Sequence, residues 1–182
     1  MFRSLTTQVA YDILTARNRK RRIFGRGFSI GLLMTIREFE KQDKDEFLQL
    51  CKEFYSSRST IKNYCESTCL VTFERVLERH ENLWGFMLFD GVTSEAIGYA
   101  LTSSYWCNEE GGSVLVLDEL YICPTSRHHG YGGRFLKWLE ERFKGKAVSI
   151  TLEVLNTNQD AKSLYARDGL VPDGFVTLTK NI

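Results

Sequence analysis

Past residue 33, apolar and polar positions fall into alternating short and long periods that mark out a series of elements. The run Thr35–Lys41 (TIREFEK) alternates closely enough to read as a first strand. Next, Phe47, Leu50, Cys51 and Phe54 recur at helical spacing within DKDEFLQLCKEFYSS, behind acids that favour a helix start. A second helix is expected in STCLVTFERVLERH, where Leu70, Phe73 and Leu77 form one stripe with Val76 beside it. Two strand-like runs, LWGFMLFDG and AIGYALTSSYW, flank the turn signals Asp90-Gly91 and Thr93-Ser94. After the polar stretch CNEEGG comes SVLVLDELYICP, so continuously apolar that it predicts a strand buried on both faces, ended by Pro124.

The second half continues the pattern. YGGRFLKWLEERFKG carries Phe135, Leu136, Trp138, Leu139 and Phe143 at amphipathic spacing, with Gly145 as the stop. AVSITLEVL reads as a strand. NTNQDAKSLYARDG follows as a helix with Ala161, Leu164 and Tyr165 on one side and Gly169 at its end. GFVTLTK, Gly174–Lys180, predicts a closing strand. The order β–α–α–β–β–β–α–β–α–β describes a mixed α/β (α+β) sheet with helices packed on it, and differs from a doubly wound succession.

A chain of 182 residues suits one domain with a substantial core. No apolar run approaches the roughly 18 residues of a membrane span, so no membrane association is expected. The net charge of +1 conceals a partition: residues 1–33 carry +6, residues 34–126 carry −8 and residues 127–182 carry +3. A basic C-terminal part beside an acidic middle suits an anionic cofactor and a cationic substrate; solvated faces explain it equally well. The five cysteines include no CxxC pair and read as reduced thiols of a cytoplasmic protein, with no metal site expected.

Residues 1–33 form a basic N-terminal extension that includes RNRKRR at Arg17–Arg22. Three readings fit it: an upstream start or tag-like extension, a targeting segment, and a functional arm or extra helix. A nucleic-acid partner is not favoured. Met34 looks like the start of the compact domain, residues 34–182.

The stretch TSRHHGYGGRF concentrates candidate chemistry. Gly130, Gly132 and Gly133 lie between the buried strand and the helix that follows, behind Arg127, His128 and His129. Free N–H groups at a helix start, the helix dipole and the missing Cβ atoms suit a phosphate. A purely structural turn fits as well. A Walker P-loop is excluded by the lack of its Lys and Ser/Thr, and a dinucleotide fingerprint by spacing and position. The two adjacent histidines point apart and are poor metal ligands.

The stretches LDELYICPTSRHHGYGGRFLKWLEERF and LEVLNTNQDAKSLYARDGL resemble the core of the GCN5-related N-acetyltransferase (GNAT) superfamily. The matching positions are Ile122, Pro124, Arg127, Gly130 and Gly132, then Asn158, Ala161, Leu164, Tyr165 and Gly169, with Leu170 where the family usually has Phe. The resemblance implies a mostly antiparallel central sheet with helices on both faces. It also implies transfer of acetyl from acetyl-CoA, as acyl-donor cosubstrate, to a primary amine. By the same resemblance, main-chain N–H groups from Arg127 through His128, His129, Gly130, Tyr131 and Gly132 to Gly133 would hold the CoA pyrophosphate. Leu120, Tyr121 and Ile122 would pair with the pantetheine arm, and Asn158 and Ala161 would contact the cofactor. Because the family often carries an acid at its position, Glu119 is the favoured base, with Asp118 the other candidate; alternation turns the two opposite ways and groups Glu119 with Leu117 and Tyr121. Tyr165 would protonate the leaving thiolate.

The acceptor site is expected between Phe47–Glu81 and Tyr105–Gly112, where aromatics lie near Glu53, Glu109 and Glu110. A small cationic amine is the first expectation. A protein N-terminus or lysine, and a non-catalytic acyl-CoA-binding module, are the alternatives, and a homodimer is compatible with all of them.

Overall fold

Five strands form one sheet in the order β1-β2-β3-β4-β5. They are β1 Met34–Glu38, β2 Leu83–Asp90, β3 Ala96–Cys107, β4 Gly112–Ile122 and β5 Ser149–Leu152. The first four are joined antiparallel, and β5 adds parallel to β4. Four helices complete the structure: α1 Lys44–Ser56, α2 Glu66–Leu77, α3 Tyr131–Phe143 and α4 Gln159–Arg167. This computed structural model describes residues 33–57, 59–79 and 81–180. The basic extension, apart from Leu33, lies outside the described residues.

Each face of the sheet closes its own core. On one side Phe47, Leu50 and Cys51 of α1 and Cys69, Phe73 and Val76 of α2 pack on Met87, Tyr99, Leu101 and Tyr121. On the other, Tyr131, Phe135, Leu136, Leu139 and Phe143 of α3 pack on Phe86, Leu88, Leu115 and Leu117, with Leu164 and Tyr165 of α4 beside them. Arg37 of β1 donates twice to Asp43, at 2.6 and 2.7 Å, fixing the strand to the start of α1. Among the described residues no helix is long and apolar enough to cross a membrane.

Three expectations are corrected. The α2 stripe facing the core is Cys69, Phe73 and Val76, with Leu70 and Leu77 only half-buried. The last strand is also absent: Gly174–Lys180 joins no sheet, and Phe175 and Leu178 are 80% and 90% exposed. Strand-forming composition makes a strand only where a ladder is available, and the paired length of β5 is just four residues.

The third correction concerns β4. Leu101 pairs with Glu119, and the next β3 residue, Thr102, pairs with Leu117, so Asp118 is the extra residue of a β-bulge. Leu115 and Leu117 face α3, whereas Tyr121 belongs to the α1–α2 core and Glu119 turns to the same side. The bulge thus reverses the parity of the strand, and Glu119 shares a face with Tyr121 but not with Leu117.

Candidate active site

Glu119 of β4 is held by a phenol on each of its oxygens. Its Oε1 accepts a hydrogen bond from Tyr55 of α1 at 2.5 Å, and its Oε2 accepts one from Tyr99 of β3 at 2.6 Å. Burial pushes its carboxyl up, the two phenols pull it down, and neighbouring Asp118 adds repulsion, leaving it above the ordinary range. Tyr99 is fully buried, with its ring edge-on to Phe47. One residue pair away, Tyr121 donates to Glu53 at 3.0 Å. Four aromatic rings (Phe54, Tyr55, Tyr99 and Tyr121) and two carboxylates therefore meet beneath α1.

Asp118, thrown outward by the bulge, is exposed. Partial shielding raises its carboxyl, a hydrogen bond with Ser103 opposes this, and Glu153 adds repulsion. The pairing of β4 with β5 ends at Leu117 and Leu152. Beyond that point the two strands part, and the side of Asp118–Ile122 that would face β5 has no ladder partner among the described residues.

Past β4 the chain makes a 3-10 turn at Pro124–Ser126 and enters α3 through two left-handed residues, His128 (φ 63°) and Gly130 (φ 81°). Glycine suits the second, where a Cβ would stand in open space but in a conformation side chains rarely adopt. The helix has neither a side-chain cap nor an acid in its first turn, so its leading N–H groups remain available. Tyr131 anchors this turn by donating to Asp90 at 2.5 Å. That hydrogen bond and two main-chain N–H donors hold the Asp90 carboxyl down at about 2. Arg127 donates through Nε to the Ile122 carbonyl at 3.0 Å and lies over the Tyr121 ring.

The other two glycines line the cleft and have Leu164 of α4 as a neighbour. A Cβ at Gly132 would lie 2.8 Å from Leu164 Cδ2, and one at Gly133 would lie 3.7 Å from Leu164 Cδ1. The first is a close approach made only by the end of a flexible side chain, and the second is ordinary van der Waals contact. Asn158 caps α4, accepting from the Ala161 N–H at 3.2 Å. Tyr165 lies one turn further on. Burial alone raises its phenol, and its hydroxyl has no hydrogen bond to another described residue.

These pieces line one cleft of about 240 Å³. Of the residues singled out from sequence, it gathers Leu120, Tyr121, Ile122, Arg127, His128, Gly130, Tyr131, Gly132, Gly133, Asn158, Ala161 and Tyr165. His129, Asp118 and Glu119 are not in its lining; His129 is exposed, and Glu119 stands behind Tyr121 on the α1 side. Tyr105–Gly112 is far away: Tyr105 pairs with Val114, five residues before Glu119, or about 16 Å along the strand. Phe54 and Ser59 do reach the cleft. The sequence reading missed Tyr99 as a partner of Glu119 and Asp90 as the anchor of Tyr131. Asp90 is visible in sequence only as half of an Asp-Gly turn. Among the described residues no group of three His, Cys, Asp or Glu side chains could hold a metal ion.

Known proteins share this fold. The family model described as Acetyltransferase (GNAT) family matches residues 44–170. The D-amino-acid N-acetyltransferase HPA3 of Saccharomyces cerevisiae is 24% identical over 109 residues, 60% of this chain and 66% of that enzyme. The uncharacterized N-acetyltransferase YhfO of Bacillus subtilis is 26% identical over 155 residues, 82% of this chain and 98% of the relative. Among solved structures, a possible acetyltransferase from Clostridium difficile 630 superposes with a TM-score of 0.71 at 14% identity, covering 82% of this chain and 98% of that one. Aminoglycoside N-acetyltransferase AAC(6')-Iy in complex with CoA superposes with a TM-score of 0.68 at 16% identity, covering 87% and 99%. With its mixed five-stranded sheet, helices on both faces and family match across both motifs, this chain belongs to the acetyltransferase (GNAT) family.

Proposed function

We propose that residues 34–182 transfer an acetyl group from acetyl-CoA to the primary amine of a small cationic metabolite, by direct attack. The observation that carries this reading is the convergence of three elements on one cleft: the end of β4, the uncapped start of α3, and the Asn158–Tyr165 face of α4. Arg127 and the first N–H groups of α3 suit a pyrophosphate, since a helix start offers unpaired donors and positive potential. Leu120–Ile122, beyond the point where β4 and β5 separate, retain main-chain groups for an amide-bearing arm and for the acyl carbonyl oxygen.

When bound, acetyl-CoA supplies the activated acyl carbon. The chain supplies proton management on either side of it. Glu119, held from two directions by phenols, takes a proton from the acceptor's ammonium, directly or through a water, freeing the amine to attack the acyl carbon. Tyr165, whose hydroxyl is unengaged, gives its proton to the departing sulfur as the C–S bond breaks. Asp118, exposed and opposed by Glu153, belongs with the acceptor surface and not with the base.

A cationic acceptor is supported by the carboxylates that border the α1 side and the strand gap: Glu53, Asp118, Glu119 and Glu153. The named activities of the yeast D-amino-acid enzyme and the aminoglycoside enzyme point toward small amines as well. Five free cysteines support a reducing, cytoplasmic setting.

The test is a screen of the purified chain with acetyl-CoA against polyamines, D- and L-amino acids, aminoglycosides and peptides, following thiol release and identifying products by mass. Turnover is expected on a small cationic amine. Tyr165→Phe should lose on the order of 10²-fold or more in kcat while keeping its affinity for CoA. CoA binding with no turnover on any amine, or turnover confined to peptides, would overturn the proposal.

A further inference from the structure

Three of the five cysteines stand in line between the surface and Glu119. Cys65 immediately precedes α2 and is exposed, whereas Cys69, one turn later, and Cys51 of α1 are buried, at 6% and 1% exposure. The Cys69 N–H donates to the Cys65 carbonyl at 3.1 Å, so the two residues bracket the first turn of the helix. Across the helix contact the Cys69 and Cys51 thiols are hydrogen-bonded to each other, and Cys51 also meets the Tyr99 hydroxyl. Tyr99 has one O–H, spent on Glu119 Oε2 at 2.6 Å, so toward Cys51 its oxygen accepts and the Cys51 S–H donates. Tyr55, one turn beyond Cys51 on α1, holds the other Glu119 oxygen.

Reactivity changes along this line. Hydrogen bonds with Ser67 and Thr68 hold the Cys65 thiol down at about 7, so near neutral pH much of it is thiolate. Burial pushes the thiols of Cys51 and Cys69 up and shuts them off from an oxidant in solvent. The nucleophile is at the surface, and the pair already in contact is inside.

We propose that Cys65 is an oxidation site for hydroperoxides, and that Cys69 and Cys51 relay the oxidation inward to a Cys51–Cys69 disulfide joining α1 to α2. The Cys65 thiolate attacks the peroxide: an S–O bond forms, the O–O bond breaks, hydroxide leaves, and Cys65 becomes a sulfenic acid. Cys69 attacks the Cys65 sulfur, and its proton leaves with the sulfenic oxygen as water. Cys51 then attacks the Cys69 sulfur, releasing its proton to the hydroxide, and Cys65 departs as thiolate. This last exchange runs inward because the thiol of lowest pKa leaves best. Two thiols are oxidised to one disulfide, and hydrogen peroxide is reduced to two waters. The disulfide removes the S–H that Tyr99 accepts and draws α1 toward α2, so both phenols loosen from Glu119. That consequence for activity rests on Glu119 as the base of the proposed reaction; the disulfide itself does not.

The test treats the full chain with a small excess of hydrogen peroxide at neutral pH, alkylates the remaining thiols and maps disulfides by peptide mass. Turnover is followed in parallel on the best amine of the acceptor screen. The parent chain should give the Cys51–Cys69 link, with activity falling several-fold and returning with dithiothreitol. Cys65→Ser, at an exposed position, should leave the untreated chain as active as the parent and slow the link by an order of magnitude or more. Cys51→Ser should halt the relay at a Cys65–Cys69 link. A parent chain that forms no Cys51–Cys69 link, a link that forms as fast without Cys65, or a link that leaves activity unchanged would each overturn the proposal. The mapping needs no turnover, so it fails or succeeds apart from the acetyl-transfer reading, which the amine screen decides.

Discussion

Replacing Tyr55 with Phe removes one of the two O–H donors to Glu119 and leaves the ring in place. A hydrogen bond to a charged group contributes about 1.5–3 kcal/mol, and one pKa unit corresponds to about 1.4 kcal/mol. Tyr55 is half-buried, so water can replace part of what is lost. A rise of about one unit in the Glu119 carboxyl is therefore expected, toward the upper part of that range for Tyr99→Phe, whose site is closed to water. The proposed base acts as carboxylate, so a higher Glu119 pKa moves the acid limb of kcat/KM to higher pH. Activity at the alkaline plateau should change little. The assay is kcat/KM against pH for the parent chain, both Phe variants and Glu119→Gln, in which this limb should disappear. An acid limb that stays in place in both Phe variants, with Glu119→Gln still titrating, would refute the assignment of Glu119 as base.

Glu119 also carries a stability signature. Its folded carboxyl lies above its ordinary range, so ionisation opposes folding and its contribution to stability falls as pH rises through the folded pKa. Glu119→Gln should accordingly raise Tm above neutral pH, with the gain vanishing below about pH 4, as scanning calorimetry would record. A second prediction contrasts two glycines. An added methyl at Gly98 meets the Tyr121 carbonyl oxygen across the β3–β4 ladder, so Gly98→Ala should cost about 2–3 kcal/mol in denaturant unfolding. At Gly132 the methyl meets only the tip of Leu164, and alanine's better helix propensity of about 1 kcal/mol offsets the contact, so Gly132→Ala should be near neutral.

The elements themselves were legible because each long helix announces its period and each break carries its own signal. Gly145 and Gly169 sit where the helices end, both left-handed, and the cleft draws most of its lining from residues singled out by the resemblance to the family's motifs. What stayed hidden depends on neighbours distant in the chain. No local pattern reveals that Asp118 is an extra residue against β3, so strict alternation placed Glu119 on the face of Leu117. The GYGG spacing gave no sign that Gly132 lies against Leu164, thirty-odd residues later. Tyr99 reads as one aromatic in an apolar strand until β3 is laid beside β4. GFVTLTK shows the converse, a sequence competent for a strand that finds no ladder within the described chain.

The bulge at Asp118 divides the tolerances of one strand. Up to Leu117, β4 packs on α3, and substitutions there should be felt as changes in unfolding free energy. From Glu119 onward, Glu119 and Tyr121 turn to α1 while Leu120 and Ile122 border the α3 core and line the cleft, and substitutions at Glu119 and Tyr121 should be felt as changes in pH profile or acceptor choice. Deleting the single residue between them would rotate everything after it by half a turn, carrying Glu119 away from both phenols and into the α3 core. Substrate preference can then drift through Glu53–Tyr55 and residues 118–121 while the fold keeps its foundation. A one-residue frameshift in the strand, by contrast, would abolish chemistry and packing together.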